Sequence, residues 1–358
     1  MDGSMLRKIT KYAAIATGVG ATIVALMAGI CALSYRQEMR IDGASGINEG
    51  GYVKIGGIDQ WIQIRGHDRN NPVILWLNGG PGFSTIPNTY LVRTWEKPFT
   101  IAMWDERGEG KTFDRSGTSV ASTMTIDQMS RDGIEVAEYL RSHLHKDKII
   151  LLGHSWGSLL AVHMVHMRPD LFSAYVGTAQ VVNLEKDAEA AYPLLIERAK
   201  ALGNKTAEQQ LVSVGPPPYP EQGSKKWVWV SWANRLDPRN PPPQPLSFDA
   251  LWWAGTQTLR APNRGANFSQ GLMWTSILND NLPSQSLHFD VPVIFIQGAE
   301  DRLTVTALAK SYFDSIDAPS KQFIVLPGVG HLAVFMGRDR FLQALVDDVR
   351  PLAVKNGG

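Results

Sequence analysis

The sequence has only one cysteine and almost no excess charge. Cys31 has no second cysteine for a disulfide within the chain and no thiolate partner for a metal site. There are 35 Lys and Arg residues against 34 Asp and Glu residues, and they do not form long basic blocks. Proteins that bind nucleic acid need a strongly basic surface, so we expect no nucleic-acid partner.

Motifs for metals and nucleotides are also missing. The pairs His143-x-His145 and His163-x-x-His166 lack further ligands at the usual spacing, and there is no HExxH motif. Neither glycine-rich loop has GxGxxG or Walker spacing. We therefore expect neither a metal nor an organic cofactor, and function has to be argued from a site built of side chains.

One uncharged apolar run lies near the N-terminus, at residues 13–34. About 22 residues in a helix span roughly 33 Å, which is enough for a bilayer core. The interpretation is a membrane anchor over residues 1–36, followed by a linker over 37–49. A secretory signal sequence, cleaved to release the protein, is the alternative. Basic residues are more frequent before the run than after it, which favours a cytoplasmic N-terminus with the catalytic part outside the cytoplasm.

The remaining sequence alternates between short apolar runs and helical patterns. "YVKIGGIDQWIQIRG" predicts an antiparallel hairpin turning at Gly56-Gly57. Helical patterns such as "TIDQMSRDGIEVAEYLRSHL" separate runs that suit strands buried on both faces. This alternation predicts an α/β fold with a doubly wound, mostly parallel sheet. The six apolar runs are "PVILWLNGG", "FTIAMWDERG", "KIILLGHS", "FSAYVGTAQVV", "VPVIFIQG" and "KQFIVLPG".

The alternation stops between residues 183 and 287. This segment contains six of the eleven tryptophans and the proline clusters "GPPPYP" and "NPPPQP". Since it lies between two strands of one predicted sheet, we interpret it as an inserted helical cap. The core then consists of residues 50–182 and 288–358.

Ser155 is the candidate nucleophile. Gly153-His154-Ser155-Trp156-Gly157 joins a strand to a helix, which is the context of a nucleophile elbow. Small flanking residues allow the sharp turn that exposes the hydroxyl, and the helix N-terminus favours negative charge nearby.

A serine nucleophile needs a base and an acid, which in enzymes with this elbow come later in the chain. His331, in "LPGVGHLAVF", follows the last predicted strand and is the predicted base. The acid is expected after the preceding strand, where "GAEDRLT" offers Asp301 and Glu300. Asp301 is preferred because the extra residue gives the loop room to turn toward His331, and Glu300 stays open.

Backbone N–H groups are expected to bind the oxyanion of the reaction. One donor is the N–H of Trp156, directly after the nucleophile. The other is expected from the loop "LNGGPG", from Gly80 or alternatively from Gly79, because glycines permit close approach of the backbone.

Together, "NGGPG", "WDERGEGKT", "GHSWGS", "GAED" and "GVGH" resemble the proline iminopeptidase family of α/β-hydrolases. These are serine peptidases that remove an N-terminal residue, preferably proline. The resemblance covers residues 50–353 and implies the α/β-hydrolase fold and a short-peptide or small-molecule substrate. It implies Ser155, Asp301 and His331 as the triad, and Gly80 and Trp156 at the oxyanion hole.

The sequence departs from the family at positions that affect the substrate. Asn78 and Glu106 stand where the family usually has His and Gln, and Ala233-Asn234 stands where its cap carries an acid for the substrate's amine. An unpaired ammonium is costly to bury, so an aminopeptidase needs another carboxylate. Without one, a small apolar ester, amide or lactone fits better, and a non-catalytic binding protein is a third possibility. The candidate acids are Glu106, Glu185, Glu189 and Glu197, and the candidate substrate contacts are Gly79, Glu106, Trp229 and Trp232.

Overall fold

The structure is a computed structural model that describes residues 3–219, 225–237, 264–285 and 287–357. The chain divides into two units, residues 1–40 with 244–262 and residues 41–243 with 263–358. Trp252, Trp253 and the "NPPPQP" cluster, which the sequence assigns to the cap, lie outside the described residues.

The described part of the first unit is one long helix, α1, over Gly3–Glu38. Its segment Thr10–Glu38 is 29 residues long and apolar enough to cross a membrane. A signal sequence has the same length and composition, so the choice between anchor and signal, and the orientation, stay predictions.

The second unit is built on one eight-stranded sheet with the order β1-β2-β4-β3-β5-β6-β7-β8. The β1–β2 and β2–β4 pairs are antiparallel, and all other pairs are parallel. The α/β prediction is therefore confirmed, with all six apolar runs forming strands. The strands are β1 Ile47–Ile55, β2 Ile58–Gly66, β3 Val73–Leu77, β4 Thr100–Asp105, β5 Ile149–His154, β6 Phe172–Thr178, β7 Val293–Gly298 and β8 Lys321–Leu326.

The predicted hairpin turns at Gly56 and Gly57, where φ is +54° and +82°. Two consecutive positive φ values suit a tight turn between antiparallel strands, and glycine adopts them without a Cβ clash. Ile55 pairs directly with Ile58 across this turn.

Helices cover both faces of the sheet. Along β3, Val73 and Leu75 pack into one apolar layer, while Ile74 and Trp76 pack into the layer on the opposite face. Burial on both faces explains why the strand sequences are continuously apolar rather than alternating. The helices before β6 are α2 Gly110–Ser116, α3 Ile126–Leu144 and α4 Trp156–Met167, and those after β7 are α10 Thr306–Ser315, α11 Ala333–Met336, α12 Arg338–Ala344 and α13 Arg350–Lys355. Short 3₁₀-helical segments lie at Ile86–Leu91, Arg93–Glu96, Gly117–Thr123 and Pro169–Leu171, and a π-helical turn lies at Leu345–Val349.

Helix α3 shows why the sequence pattern predicted it well. The Thr125 side chain accepts a hydrogen bond from the Gln128 N–H at 3.1 Å and caps the N-terminus. Its apolar face is buried, while Asp127 and Arg131 form an exposed ion pair one turn apart. The buried residues include Met129, Gly133, Val136, Ala137, Leu140 and Leu144.

Between β6 and β7 the described residues are mostly helical. The Asn183 side chain accepts a hydrogen bond from the Lys186 N–H at 2.9 Å and so begins the first of these helices. The predicted limits of the cap stay predictions. The helices are α5 Leu184–Ala201, α6 Lys205–Val214, α7 Lys225–Arg235, α8 Arg264–Asn279 and α9 Leu282–Gln285.

Candidate active site

Ser155 lies at a sharp turn between β5 and α4. Its φ is 53° and its ψ is −122°, a conformation that a residue with a side chain rarely adopts. Its N–H donates to the carbonyl of Thr178 on the neighbouring strand at 3.0 Å. Gly157 permits the turn, because a Cβ there would lie 2.4 Å from the Leu77 carbonyl oxygen. A strained backbone conformation at a serine between a strand and a helix is typical of functional sites.

His331 reaches Ser155 from the loop after β8. Its Nε2 lies 3.1 Å from the Ser155 Oγ, which is hydrogen-bond distance. The imidazole is almost completely buried, with 4% of the residue exposed. Burial and a second contact, made by the ring's other nitrogen Nδ1, hold the imidazole in one orientation.

Asp301 provides that second contact. Its Oδ2 lies 3.0 Å from the His331 Nδ1. The Asp301 carboxylate also accepts hydrogen bonds from the N–H groups of Leu303 and Thr304, at 2.8 and 3.0 Å, and from the Thr304 hydroxyl at 2.8 Å. Glu300, the alternative acid, has a carboxylate that lies 3.7 Å from Arg302 instead. No motif in the sequence marks Thr304 as a partner of Asp301.

The electrostatics of this pair favour an ionised aspartate. Burial raises the pKa of Asp301, but the positive charge and hydrogen bond of His331 outweigh it and leave the pKa below its usual value. Burial lowers the pKa of His331, but the charge of Asp301 outweighs it and leaves that pKa above its usual value. The arrangement can therefore accept a proton from the Ser155 hydroxyl and stabilise it on the imidazole.

The loop after β3 passes directly beside the nucleophile. A Cβ at Gly79 would lie 2.8 Å from the His154 Nδ1 and 3.4 Å from the Ser155 Cβ, so a larger residue there would force the loop or His154 to move. Gly80 follows with φ +138°. Trp156 is the first residue of α4, so its N–H has no acceptor within the helix. The structure thus brings both predicted oxyanion segments next to Ser155.

Glu106 lies behind this loop instead of facing a pocket. It is fully buried, and its Oε2 accepts a hydrogen bond from the Trp156 indole Nε1 at 2.9 Å. The prediction that Glu106 contacts the substrate therefore has no support, because a fully enclosed carboxyl does not reach one. Burial raises the pKa of Glu106 to about 8.

The other predicted substrate contacts are mostly buried cap residues. Trp232 donates its indole N–H to Gln210 at 2.9 Å, which ties α7 to α6. Trp229 lines a small cavity in the cap together with Glu185 and Tyr219. Glu189 is paired with Lys186 at 2.8 Å, and Glu197 is exposed on the surface. Of the four candidate acids, only Glu185 lines a described cavity.

One acid that the sequence analysis missed lies beside His331. Asp237 follows the end of α7, and its carboxylate accepts hydrogen bonds from the backbone N–H groups of His331 and Leu332 at 3.2 and 3.4 Å. Only 8% of Asp237 is exposed, and within the described ranges it forms no ion pair with Lys or Arg. Burial raises its pKa to about 6, although His331 acts in the opposite direction. No motif marks Asp237, since its position depends on how α7 ends.

The histidine pairs considered as metal ligands lie apart from this site. His163 contacts Asp280 at 2.8 Å and His143 contacts Glu49 at 2.7 Å. In the part of the chain that the structure describes, no three His, Cys, Asp or Glu residues group as metal ligands.

Comparison with known proteins places this geometry in a family. The family model for the alpha/beta hydrolase fold matches residues 72–337. A probable aminopeptidase of Bacillus subtilis is 28% identical over 288 residues, covering 78% of this chain and 89% of the relative. The proline iminopeptidase of Thermoplasma volcanium is 25% identical, covering 83% of this chain and 95% of that protein. The crystal structure of a proline iminopeptidase-related protein from Thermus thermophilus has a TM-score of 0.63 at 19% identity, covering 87% of this chain and 98% of its own.

The sheet order and these matches together define a hydrolase enzyme built on an α/β sheet. The chain belongs to the alpha/beta hydrolase fold family, and within it resembles proteins named as proline iminopeptidases.

Proposed function

We propose that this protein is a serine hydrolase in which Ser155 is the nucleophile, His331 the general base and Asp301 the orienting acid. The observation that carries the proposal is the continuous hydrogen-bonded chain from the Ser155 Oγ through His331 to Asp301, at 3.1 and 3.0 Å. Strain at Ser155 and the burial of both partners support it further, since these features hold reactive groups in one geometry.

The reaction proceeds through an acyl-enzyme. The Ser155 Oγ attacks the substrate's carbonyl carbon while its proton passes to the His331 Nε2. Backbone N–H groups of Gly80 and Trp156 stabilise the oxyanion that forms. His331 then gives its proton to the leaving amine or alcohol as the bond to the carbonyl carbon breaks. Water then attacks the carbonyl carbon of the ester on Ser155 while its proton passes to His331, and His331 returns that proton to the Ser155 Oγ as the bond between this oxygen and the acyl group breaks and the acid is released.

The proposed substrate is a short peptide whose N-terminal residue is released, as the names of the relatives suggest. A free amine near the acyl pocket requires a carboxylate. Asp237 is positioned for this role, because its buried carboxylate lies next to the backbone of His331 and forms no ion pair with Lys or Arg among the described residues. It replaces the acid that is absent at Ala233 and Asn234.

The second candidate is hydrolysis of a neutral ester, amide or lactone by the same chemistry. The observation favouring it is that Asp237 already accepts two backbone hydrogen bonds, which is also what a purely structural carboxylate does. In that case the apolar cap would bind an uncharged acyl group.

The test compares hydrolysis of a proline arylamide with that of its N-acetylated twin by the full-length protein in detergent. Preference for the free amine by at least tenfold in kcat/KM supports the aminopeptidase proposal. Equal rates, or cleavage of the blocked compound alone, contradict it and support the neutral-substrate candidate. The Ser155→Ala variant provides the blank for both substrates.

We also propose that α1 is an uncleaved anchor that holds the hydrolase outside the cytoplasm. Its apolar segment of 29 residues supports this proposal. The N-terminal sequence of the mature protein tests it, because a signal sequence would be removed and an anchor retained.

A further inference from the structure

Three acidic side chains lie buried together at the end of β4 and in the turn that follows it, in the sequence "DERGE". Asp105, Glu106 and Glu109 are each at most 1% exposed. Such residues are rarely buried unless a cation or several hydrogen bonds compensate them. Glu106 and Glu109 form no ion pair with a basic side chain within the described ranges.

Between them the two glutamates contact both halves of the proposed oxyanion hole. Glu106 accepts the indole N–H of Trp156, the residue whose backbone N–H is one proposed donor. Glu109 accepts the side-chain amide of Asn78, the residue directly before the Gly79-Gly80 loop. Asn78 is itself anchored by its second contact, to the Trp104 carbonyl at 2.9 Å.

Each glutamate also has one oxygen without a hydrogen-bond partner. The Glu106 Oε1 and the Glu109 Oε2 are buried and unpartnered in the part of the chain described. A buried anionic oxygen in this state carries a large desolvation cost, and the neutral acid carries a much smaller one. The unpartnered oxygens therefore fit protonated carboxylic acids.

The charges around Glu106 also favour its protonated form. The nearby charges that act on Glu106 are Asp105 and Asp132, and both disfavour its ionisation. Asp132 is neutralised by Arg107 at 2.9 Å, so Arg107 is not available as a counter-ion for the glutamates. Two further charges act on Asp105: Lys111 favours its ionisation and Asp114 opposes it.

The same holds for Glu109. Burial raises the pKa of Glu109 well above its usual value, and the neighbouring charges of Glu106 and Asp105 raise it further. One proton lost from the pair makes the second loss harder, so the two side chains titrate together.

We propose that Glu106 and Glu109 act as uncharged carboxylic acids that position the two halves of the oxyanion hole, and that their ionisation at alkaline pH displaces those halves and stops turnover. The inference rests on the proposed serine-hydrolase function. Both glutamates are positioning residues, since they touch Trp156 and Asn78 and not the substrate. Gln at position 106 has the shape of the neutral acid and cannot ionise, which makes it the matched variant.

The experiment measures kcat and KM from pH 5.5 to 10 for the full-length enzyme in detergent. The variants are Glu106→Gln, Glu106→Ala and Glu109→Gln, with Glu189→Gln as the exposed control. We expect wild-type kcat to fall by about tenfold or more above pH 8, and Glu106→Gln to keep near wild-type kcat at pH 7 while losing most of that fall. Glu106→Ala should lower kcat at least about tenfold at every pH, with a smaller change in KM.

If kcat falls at alkaline pH by the same factor in Glu106→Gln and in the wild type, the inference is overturned. Full activity of Glu106→Ala also overturns it. Circular dichroism at each pH separates local from global effects, because unfolding of wild type over the same pH range contradicts a local displacement. If Ser155→Ala retains turnover, the proposed function fails instead. An inactive Ser155→Ala combined with an unchanged alkaline fall in Glu106→Gln rejects only the role of the glutamates.

Discussion

The Nε2 of His331 lies 3.1 Å from the Oγ of Ser155, although 176 positions separate the two residues in the chain. The parallel sheet produces this contact, because β5 and β8 end at the same edge and the loops that follow them meet there. Asp301, after β7, joins at the same edge. Three strands of one sheet thus bring a serine, a histidine and an acid together.

The first prediction concerns the acidic side of the pH profile. His331 must be uncharged to accept the Ser155 proton, so activity is lost as pH falls through its pKa. Asp301 holds that pKa above the ordinary value near 6.5. We expect the acidic limb of kcat/KM above pH 6.5, and a shift to lower pH in Asp301→Asn with a loss in kcat of about 10³- to 10⁴-fold. A limb that stays in place in Asp301→Asn would contradict this assignment.

The second prediction separates the two candidate substrate classes. If Asp237 binds the substrate's amine, Asp237→Asn should lower kcat/KM for the free-amine arylamide by about tenfold to 100-fold and leave the N-acetylated compound unchanged. Glu189→Gln, which alters an exposed acid of the cap, serves as control. Equal losses for both compounds would mean that Asp237 only supports the His331 loop.

The same carboxylate predicts a pH effect on binding. The pKa of Asp237 is raised to about 6, so the carboxylate is lost as pH falls below that value. The KM for the free-amine substrate should therefore rise below pH 6. Asp237→Asn should abolish this dependence, and a KM that is flat in the wild type argues against an ionic contact.

The third prediction tests the close approach at Gly79. Gly79→Ala places a Cβ 2.8 Å from the His154 Nδ1 and 3.4 Å from the Ser155 Cβ, so the loop must move. We expect at least about a tenfold loss of kcat without loss of the fold, because one of the two proposed oxyanion donors, the Gly80 N–H, lies on this loop. Gly271→Ala on α8 is the matched control, since a Cβ there meets no atom within 4 Å. Wild-type kcat in Gly79→Ala would place the oxyanion hole elsewhere.

The fourth prediction concerns stability. The pKa of Glu106 is about 8 in the folded protein, against an ordinary value of 4.5, so the native state holds a proton that the unfolded state has lost. Stability contributed by this group is complete below pH 4.5 and is lost as pH rises toward 8. Glu106→Gln should therefore melt at a higher temperature than the wild type at pH 8. This difference between the two proteins should be a few degrees larger at pH 8 than at pH 5. An identical pH dependence in wild type and variant would show that Glu106 is ionised in the fold.

Much of the fold was predictable because its signals are local. Strands such as β3 and β5 are apolar throughout, and the turn around Ser155 follows a fixed spacing of glycines. The order of serine, acid and histidine along the chain then directed attention to the loops after β7 and β8. Asp301 and His331 were candidates on that order alone.

Other features depend on packing and were not predictable. Glu106 was one of the candidate acids for a substrate's amine, yet it is enclosed beneath Trp156. Asp237 lies beside His331 only because α7 ends against the loop at Gly330, where a Cβ would lie 1.7 Å from the Asp237 carboxylate. Neither contact leaves a pattern in the sequence.

The most direct test of Ser155 as the nucleophile is covalent labelling of the folded full-length protein with a fluorophosphonate, followed by mass spectrometry of its peptides. The Ser155 Oγ attacks phosphorus and displaces fluoride, so we predict one adduct, on the peptide that contains Ser155. The adduct should be absent in Ser155→Ala and form far more slowly in His331→Ala. An active preparation without an adduct on Ser155, or with its adduct on another residue, would contradict the account.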